Sequence, residues 1–162
     1  MEIRTYPDPV LREKAGQVEC VDDDIRWIID EMAAAMYRDD GVGLAAPQVG
    51  ISRQIIVVDG GEGFMCLINP EIVESGEETD QMEEGCLSFP GIRVMITRPT
   101  SVRVRGMNEK GDSIDLRAEG LPARILQHEI DHLNGILIID HISSLNRRLL
   151  SSKLKKMEKA AG

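Results

Sequence analysis

The chain has 162 residues, of which 42% are hydrophobic, 29% charged and only 3% aromatic, as is typical of one globular domain with an aliphatic core. The scarcity of aromatic side chains and the net charge of −9 argue against a protein that reads nucleic acid. No apolar run is long enough to span a membrane, and the N-terminus lacks a signal-peptide pattern. Three cysteines do not form a disulfide framework, so a reducing cytoplasm is the expected location.

The first predicted helix covers residues 24–38. Three consecutive aspartates, Asp22 to Asp24, supply N-cap candidates, and isoleucines and methionines then recur with the spacing of one helix face. The segment that follows, residues 41–50, contains three glycines and a proline. We therefore expect neither a helix nor a strand there.

Strands are predicted where β-branched and aliphatic residues run together or alternate with polar residues. They cover residues 53–59, residues 65–72 with a bend at Asn69-Pro70, and a hairpin over residues 101–117. The polar and acidic residues 74–83 are predicted to form a surface loop.

Two more helices are predicted toward the C-terminus. Pro122 suits the first turn of a helix over residues 122–134, and Gly135 suits its C-terminal cap. The apolar residues 136–139 are predicted to form a short strand, and residues 144–160 form the last predicted helix. Because strands and helices do not alternate regularly along the chain, these elements predict an α+β fold.

The end of the chain is basic, whereas the rest of it is acidic. Residues 141–162 contain six basic residues and one acid, a net charge of +5, while residues 1–140 contain 13 basic and 27 acidic residues, a net charge of −14. A solvated helix face explains this pattern. The alternative is a contact with an anionic partner.

The strongest chemical signal is the run His128-Glu129-Ile130-Asp131-His132 within the predicted helix 122–134. Histidines four residues apart project from the same helix face, so both imidazoles can bind one metal ion at about 2.0–2.1 Å. The glutamate after the first histidine can act as a base toward the attacking water, as in metallohydrolases. The competing interpretation is a polar helix face with incidental histidines.

A catalytic metal site needs a third protein ligand. Asp140 and His141 are downstream candidates, and Cys86 is the upstream candidate. Cys20 and Cys66 have apolar neighbours and are expected to be buried. A Cys/His₂ ligand set by itself favours zinc. A zinc metallopeptidase with a downstream third ligand is therefore the competing function.

The chain resembles the peptide deformylases, a family with three ordered motifs. The motifs stand here as Gly41-Val-Gly-Leu-Ala-Ala-Pro-Gln48, Glu84-Gly-Cys-Leu-Ser88 and Gln127-His-Glu-Ile-Asp-His-Leu133. The resemblance begins near Tyr6 and extends to about residue 142. It implies antiparallel β-sheets packed around a central helix that carries the H-E-x-x-H motif, together with N-terminal and C-terminal helices. Residues 1–162 would form a single catalytic domain, in which residues 144–162 are a basic C-terminal helix.

The resemblance also implies an activity and a set of functional residues. The enzyme would remove the formyl group from the N-terminal methionine of new polypeptides and release formate. Its Fe²⁺ ion, replaceable by Zn²⁺, Ni²⁺ or Co²⁺, would be held by Cys86, His128 and His132. The catalytic groups would be the carboxylate of Glu129, the side-chain amide of Gln48 and the backbone N–H of Leu87. The substrate contacts would come from Val42, Gly43, Glu84 and Leu121.

Two residues depart from the common family pattern and bear on the methionine pocket. Phe89 stands where the family usually has isoleucine or valine, and Arg124 stands where an apolar residue is common. Asp131 either orients a metal ligand or lies on the helix surface. Arg98 either pairs with a carboxylate near the site or lies at a solvated strand end.

A non-catalytic relative that kept only the fold is a further alternative. It predicts the loss of at least one metal-binding or catalytic residue, and none is lost here.

A deformylase meets its substrates at the ribosome, whose surface is largely anionic RNA. The basic residues 144–162 therefore predict a weak, salt-sensitive ribosome contact without specific readout of nucleic-acid sequence.

Overall fold

The computed structural model describes residues 1–161, which form an α+β fold of two antiparallel sheets and four α-helices. The helices are α1 (Asp23–Arg38), α2 (Leu121–Leu133), α3 (Ser144–Leu149) and α4 (Ser151–Ala161). The strands are β1 (Gly43–Ala45), β2 (Ile55–Val58), β3 (Met65–Ser75), β4 (Thr79–Gly85), β5 (Arg93–Pro99), β6 (Ser101–Met107) and β7 (Ser113–Glu119). Short 3₁₀ turns cover Pro9–Arg12, Ala46–Val49 and Ile138–His141. The predicted fold is confirmed.

The larger sheet has the strand order β1-β2-β3-β6-β7, and β4 pairs with β5 in a separate two-stranded sheet. Strand β2 shows how the larger sheet divides the core, because all four of its residues are buried and successive side chains point to opposite faces. Ile55 and Val57 pack with α1 on one face. Ile56 and Val58 pack with α2 on the other. The sheet is therefore covered on both sides at β2.

Helix α2 is the central element of the fold. Ten of its thirteen residues are buried, and it contacts strands of both sheets. Pro122 lies in its first turn, and Gly135 follows it with φ of 71°, so both predicted helix ends are confirmed. A third apolar cluster lies beneath β5 and joins Phe89 and Ile96 to Leu137 and, on α4, Leu154. Within residues 1–161 no helix combines the length and apolar character needed to cross a membrane.

Several predicted elements are confirmed by the structure. Helix α1 matches the prediction for residues 24–38, and β6 and β7 form the predicted hairpin. Strand β2 lies within the predicted strand 53–59, and β3 has the predicted bend at Asn69, where φ is 52°. The bend coincides with a shift in register between β3 and β6.

Three local predictions are wrong. Residues 41–50 contain the short strand β1 and a 3₁₀ turn, because β1 pairs with the fully buried β2. Residues 74–83 are largely strand, but Glu84 is the only buried residue of β4, so no apolar alternation marks it in the sequence. Residues 136–139 form no strand, since a 3₁₀ turn begins at Ile138 and the Asp140 carboxylate accepts the Leu137 N–H at 2.8 Å.

The predicted C-terminal helix is broken into α3 and α4 at Leu150. Its expected apolar stripe is only partly correct, because Leu154 is buried whereas Leu145 and Leu149 are 61% and 73% exposed. The last residue of the predicted segment 144–162, Gly162, lies outside the described residues. The buried Leu154 and a hydrogen bond from the Tyr6 hydroxyl to Glu158 (2.7 Å) attach α4 to the body.

The turn after α2 generates a stability prediction. At Gly135 an added Cβ would lie 2.5 Å from the Arg12 carbonyl oxygen, and the residue has positive φ. Gly111 also has positive φ (80°), but its added Cβ would meet only Val21, at 3.9 Å. Gly111→Ala should cost about 1–2 kcal/mol from backbone strain alone. Gly135→Ala should cost about 1–3 kcal/mol more, because the Arg12 backbone must move.

Urea unfolding of both variants measures this difference in the free energy of unfolding. Equal losses in Gly135→Ala and Gly111→Ala would show that the contact with the Arg12 carbonyl does not constrain the end of α2.

Candidate metal centre

Cys86, His128 and His132 lie close together where the two-stranded sheet meets α2. Ligand atoms of these three residues all lie within 4.8 Å of one another. The two histidines are four residues apart on one face of α2, and their ring centroids are 5.1 Å apart. Cys86 directly follows the last residue of β4, and its Sγ lies 3.4 Å from Nε2 of His132. Two separately built elements thus bring three soft or borderline donors to one point.

The orientation of His128 is fixed by the buried carboxylate of Glu84. Nδ1 of His128 lies 2.9 Å from Glu84 Oε1, and because an ionised carboxylate can only accept, Nδ1 carries the proton. This hydrogen bond leaves Nε2 as the free ligand nitrogen. Burial alone would raise the pKa of Glu84, but hydrogen bonds from His128 and Arg98 hold it well below its usual range.

Arg98 continues this network behind the metal-binding residues. It is only 4% exposed and donates to both oxygens of Glu84, at 2.6 and 3.0 Å, and to Asp131 at 2.9 Å. His141 also pairs with Asp131, at 2.8 Å, and Asp140 pairs with Arg12 at 3.1 Å. Arg98 is therefore buried against carboxylates rather than solvated, and neither Asp140 nor His141 belongs to the cysteine-histidine group.

Glu129 lies beside the two histidines and is enclosed by the β1 backbone. Its Oε2 is 4.0 Å from Nε2 of His128, and burial raises the pKa of its carboxyl to about 7. A Cβ added to Gly43 would lie 2.5 Å from this same oxygen. Because Gly43 has no side chain, it leaves the space that the Glu129 side chain occupies. The sequence did not indicate this role of Gly43.

The surroundings fit a bound cation. Within the described part of the chain, Glu129 Oε1 and His132 Nδ1 are buried side-chain atoms without a hydrogen-bond partner. Burial and the charge of His128 hold the pKa of His132 below its usual range, so His132 stays neutral, as a metal ligand must be. Burial opposes protonation of His128, but Glu129 and Cys86 raise its pKa well above the usual value. The groups that favour a positive charge here would also favour a metal ion.

Gln48 is buried and reaches the sulfur of Cys86. Its Oε1 accepts the Ala45 N–H at 3.0 Å, and its Nε2 donates to Ser88 Oγ at 3.1 Å and lies 3.5 Å from Cys86 Sγ. These contacts fix the side-chain amide with its donor end toward the candidate ligands. Ser88 is a member of this site that the sequence analysis did not single out.

A cleft of about 680 Å³ opens above this group. Nine of the ten residues predicted to act in the site line it, and His132 lies buried behind them. Val42 and Leu121 are about half-exposed in its lining. Ile125 also lines the cleft and was missed, because its apolar side chain looks like ordinary helix core in the sequence.

The two departures from the family pattern lie in different places. Phe89 does not line the cleft but stacks on Tyr6, with ring centroids 5.2 Å apart. Arg124 lines the cleft, and its guanidinium is held in ion pairs with Glu84 and Asp80, both at 2.7 Å. The charged group of Arg124 is therefore neutralised.

The cysteines other than Cys86 are not part of the ligand group found among the described residues. Cys66 is buried as predicted, and burial together with Glu109 raises the pKa of its thiol to about 12. Cys20 is exposed, so its predicted burial is wrong. The neighbouring valine does not cover it, because Cys20 lies in the irregular segment before α1.

Comparisons with known proteins agree with this geometry. The sequence profile described as polypeptide deformylase matches residues 1–148. The peptide deformylase of Thermotoga neapolitana is 50% identical over 159 residues, covering 98% of this chain and 97% of the relative. The crystal structure of the Thermotoga maritima peptide deformylase has a TM-score of 0.86 at 51% identity, covering 88% of this chain and 97% of that one. A plant peptide deformylase has a TM-score of 0.95 at 37% identity, covering 99% and 90%.

The resemblance predicted from the three motifs is thus confirmed over nearly the whole chain. The chain belongs to the polypeptide deformylase family, metal-dependent hydrolases that remove the formyl group from the N-terminal methionine of new polypeptides.

Proposed function

We propose that this chain performs deformylation with one divalent metal ion held by Cys86 Sγ and by the Nε2 atoms of His128 and His132. The observation that carries the proposal is the approach of three ligand atoms to within 4.8 Å at the base of the cleft. A metallopeptidase with a downstream third ligand has no comparable support, since Asp140 and His141 are paired elsewhere.

The chain's own groups supply the proton transfer and the charge stabilisation. When bound, the ion would lower the pKa of a water molecule and polarise the formyl carbonyl. Glu129 accepts the proton of the attacking water and returns it to the leaving amine. The Gln48 amide and the Leu87 N–H donate to the carbonyl oxygen as it becomes negative. The products are formate and a free α-amine.

The free edge of β1 is suited to bind the substrate backbone. The Asp59 N–H donates to the Val42 carbonyl at 2.8 Å, which continues the antiparallel ladder between β1 and β2. Because alternate residues of such a ladder face opposite edges, the N–H and C=O of Gly43 are directed away from β2. Gly43 therefore pairs with an extended peptide, while the half-exposed Val42 and Leu121 contact its side chains.

Glu84 has a different proposed role from the substrate contact expected from the sequence. Both of its oxygens are already engaged by His128, Arg98 and Arg124. Glu84 is therefore better suited to orient His128 than to bind a peptide. The largely apolar cleft, in which ion pairs neutralise the Arg124 charge, receives the methionine side chain.

The physiological metal is proposed to be Fe²⁺, with Zn²⁺, Ni²⁺ or Co²⁺ as substitutes. Thiolate and imidazole ligands bind all of these ions, and the ligand set alone favours zinc. The preference for iron rests on the resemblance to the family.

We also propose a cytoplasmic location for this enzyme, because a reducing compartment keeps the Cys86 thiolate available for metal binding.

The ligand assignment predicts that only one of the three cysteines is needed for metal binding. Cys86→Ala should lose the bound ion, whereas Cys20→Ala and Cys66→Ala should retain it. Metal content per chain after gel filtration measures the effect. Equal metal retention in all three variants would contradict the assignment.

The proposed base predicts a separation of binding from turnover. Glu129→Gln should keep the fold and the metal, because the amide preserves shape and Glu129 is not a ligand. Turnover of formyl-Met-Ala-Ser should fall about 10²–10⁴-fold, since the amide cannot accept the water proton. Formate release at equal metal loading measures this, and a rate within a few-fold of the unaltered enzyme would mean that another group is the base.

Residues 1–162 are proposed to work as one catalytic domain whose basic C-terminal helices contact the ribosome. The six basic side chains of this segment are exposed, namely Arg147, Arg148, Lys153, Lys155, Lys156 and Lys159. Leu154 is buried on the opposite side of α4 and docks that helix on the body. The charges are therefore presented outward by an anchored helix, on a body that anionic RNA would otherwise repel.

Charge reversal in α4 tests this contact. The triple variant Lys155→Glu, Lys156→Glu and Lys159→Glu should weaken co-sedimentation with ribosomes. The slope of log affinity against log salt should fall by about two to three, because three cations no longer displace counterions. Turnover of the formylated tripeptide should be unchanged.

A second triple variant controls for the change in net charge. Lys14→Glu, Lys110→Glu and Arg117→Glu alter exposed residues of the body by the same amount. Equal effects of the two triple variants on ribosome binding would show that α4 makes no specific contact.

A further inference from the structure

The candidate metal ligands belong to two units between which residues 1–161 form no β-ladder. Cys86 follows β4, which pairs with β5, whereas the histidines lie on α2, which packs on the five-stranded sheet. The distance between Cys86 and His128 therefore depends on whatever fixes the two-stranded sheet to α2. Backbone pairing does not supply that connection.

Arg124 makes the most extensive polar connection between the two units. Its Nη1 donates to Glu84 Oε2 at 2.7 Å and to the Ile96 carbonyl at 3.0 Å. Its Nη2 donates to the Asp80 carbonyl at 3.1 Å and to the Asp80 carboxylate at 2.7 Å. One side chain on α2 thus reaches two positions on β4 and one on β5.

The position of Arg124 links these contacts to the candidate metal ligands on α2 and at the end of β4. On α2 it lies four residues before His128, so the two side chains share a helix face. On β4 its partner Glu84 lies two residues before Cys86. Glu84 joins the two, because its other oxygen accepts from Nδ1 of His128.

We infer that Arg124 is a positioning residue that holds β4 and β5 against α2 and thereby sets the distance of Cys86 from the two histidines. This inference rests on the proposed metal centre. Arginine is suited to the role because its planar group presents five donors in a fixed geometry. Lysine has a single donor atom and cannot reach all of these acceptors at once.

A general structural role for Arg124 would stabilise the fold without affecting the metal ligands in particular. The two roles differ in what a substitution changes. We call the hydrogen bonds of Arg124 to Glu84, Ile96 and Asp80 the Arg124 clamp. Loss of this clamp would weaken metal binding in a protein that is still folded. Loss of a merely structural contact would lower the melting temperature alone. Metal affinity and melting temperature must therefore be measured on the same variants.

The experiment uses the full chain and Co²⁺ as the probe. Affinity is measured by competition with a chelator, and the near-ultraviolet thiolate-to-cobalt absorption band reports the Cys86 contact. The variants are Arg124→Met, Arg124→Lys and Asp80→Ala, the last of which removes one exposed acceptor of the clamp. Arg103→Met is the matched control, because Arg103 forms ion pairs with Glu74 and Asp115 on the larger sheet, away from the cleft.

Arg124→Met should bind Co²⁺ about 10–100-fold more weakly than the unaltered chain, the range expected when an outer partner of a metal ligand is lost. Its thiolate band should be weaker, Arg124→Lys should recover only part of the affinity, and Asp80→Ala should show a smaller loss. Arg103→Met should bind normally even if its melting temperature falls.

Affinity and absorption within twofold of the unaltered chain in Arg124→Met would overturn the clamp. If Arg124→Met does not fold, Asp80→Ala decides, and a Co²⁺ affinity equal to that of Arg103→Met would overturn it. An unaltered chain that shows no thiolate band would instead overturn the proposed metal centre, and the clamp with it.

Discussion

The carboxylate of Glu84 accepts hydrogen bonds from His128, Arg98 and Arg124 in a part of the molecule from which water is largely excluded. Burying these charges is costly unless every one has a partner. Removing one partner of such a group costs about 3–5 kcal/mol, so the arrangement tolerates little displacement. The position of β4, the tautomer of His128 and the location of Cys86 all follow from this one set of contacts.

The chemistry of the site could be predicted from the sequence because it rests on short, local patterns. The spacing of His128 and His132 places them on one helix face whatever the rest of the fold does. Helix α2 was predictable for the same reason, since Pro122 and Gly135 mark its ends. The choice of Cys86 as third ligand was different, because local pattern left Asp140 and His141 open and only the family resemblance separated them.

The sequence did not reveal features that depend on contacts between distant segments. Strand β4 looks like a polar loop because five of its seven residues are exposed, so its pairing with β5 leaves no apolar alternation in the sequence. The pairing of Arg124 with Glu84 and Asp80 spans 40 and 44 residues, so no local pattern indicates which residues Arg124 contacts. The position of Arg124 on a buried helix face was the available signal, because arginine is almost never buried without a partner. The role of Gly43 likewise depends on its contact with Glu129, which is distant in the sequence.

X-ray absorption spectroscopy of the metal-loaded protein tests most directly whether one ion joins the end of β4 to α2. The account predicts a coordination shell with one sulfur at about 2.3 Å and two imidazole nitrogens at about 2.0–2.1 Å for a zinc-loaded sample. A shell of nitrogen and oxygen alone, without sulfur, would contradict the account. It would mean that Cys86 is not a ligand and that the third donor lies elsewhere in the chain.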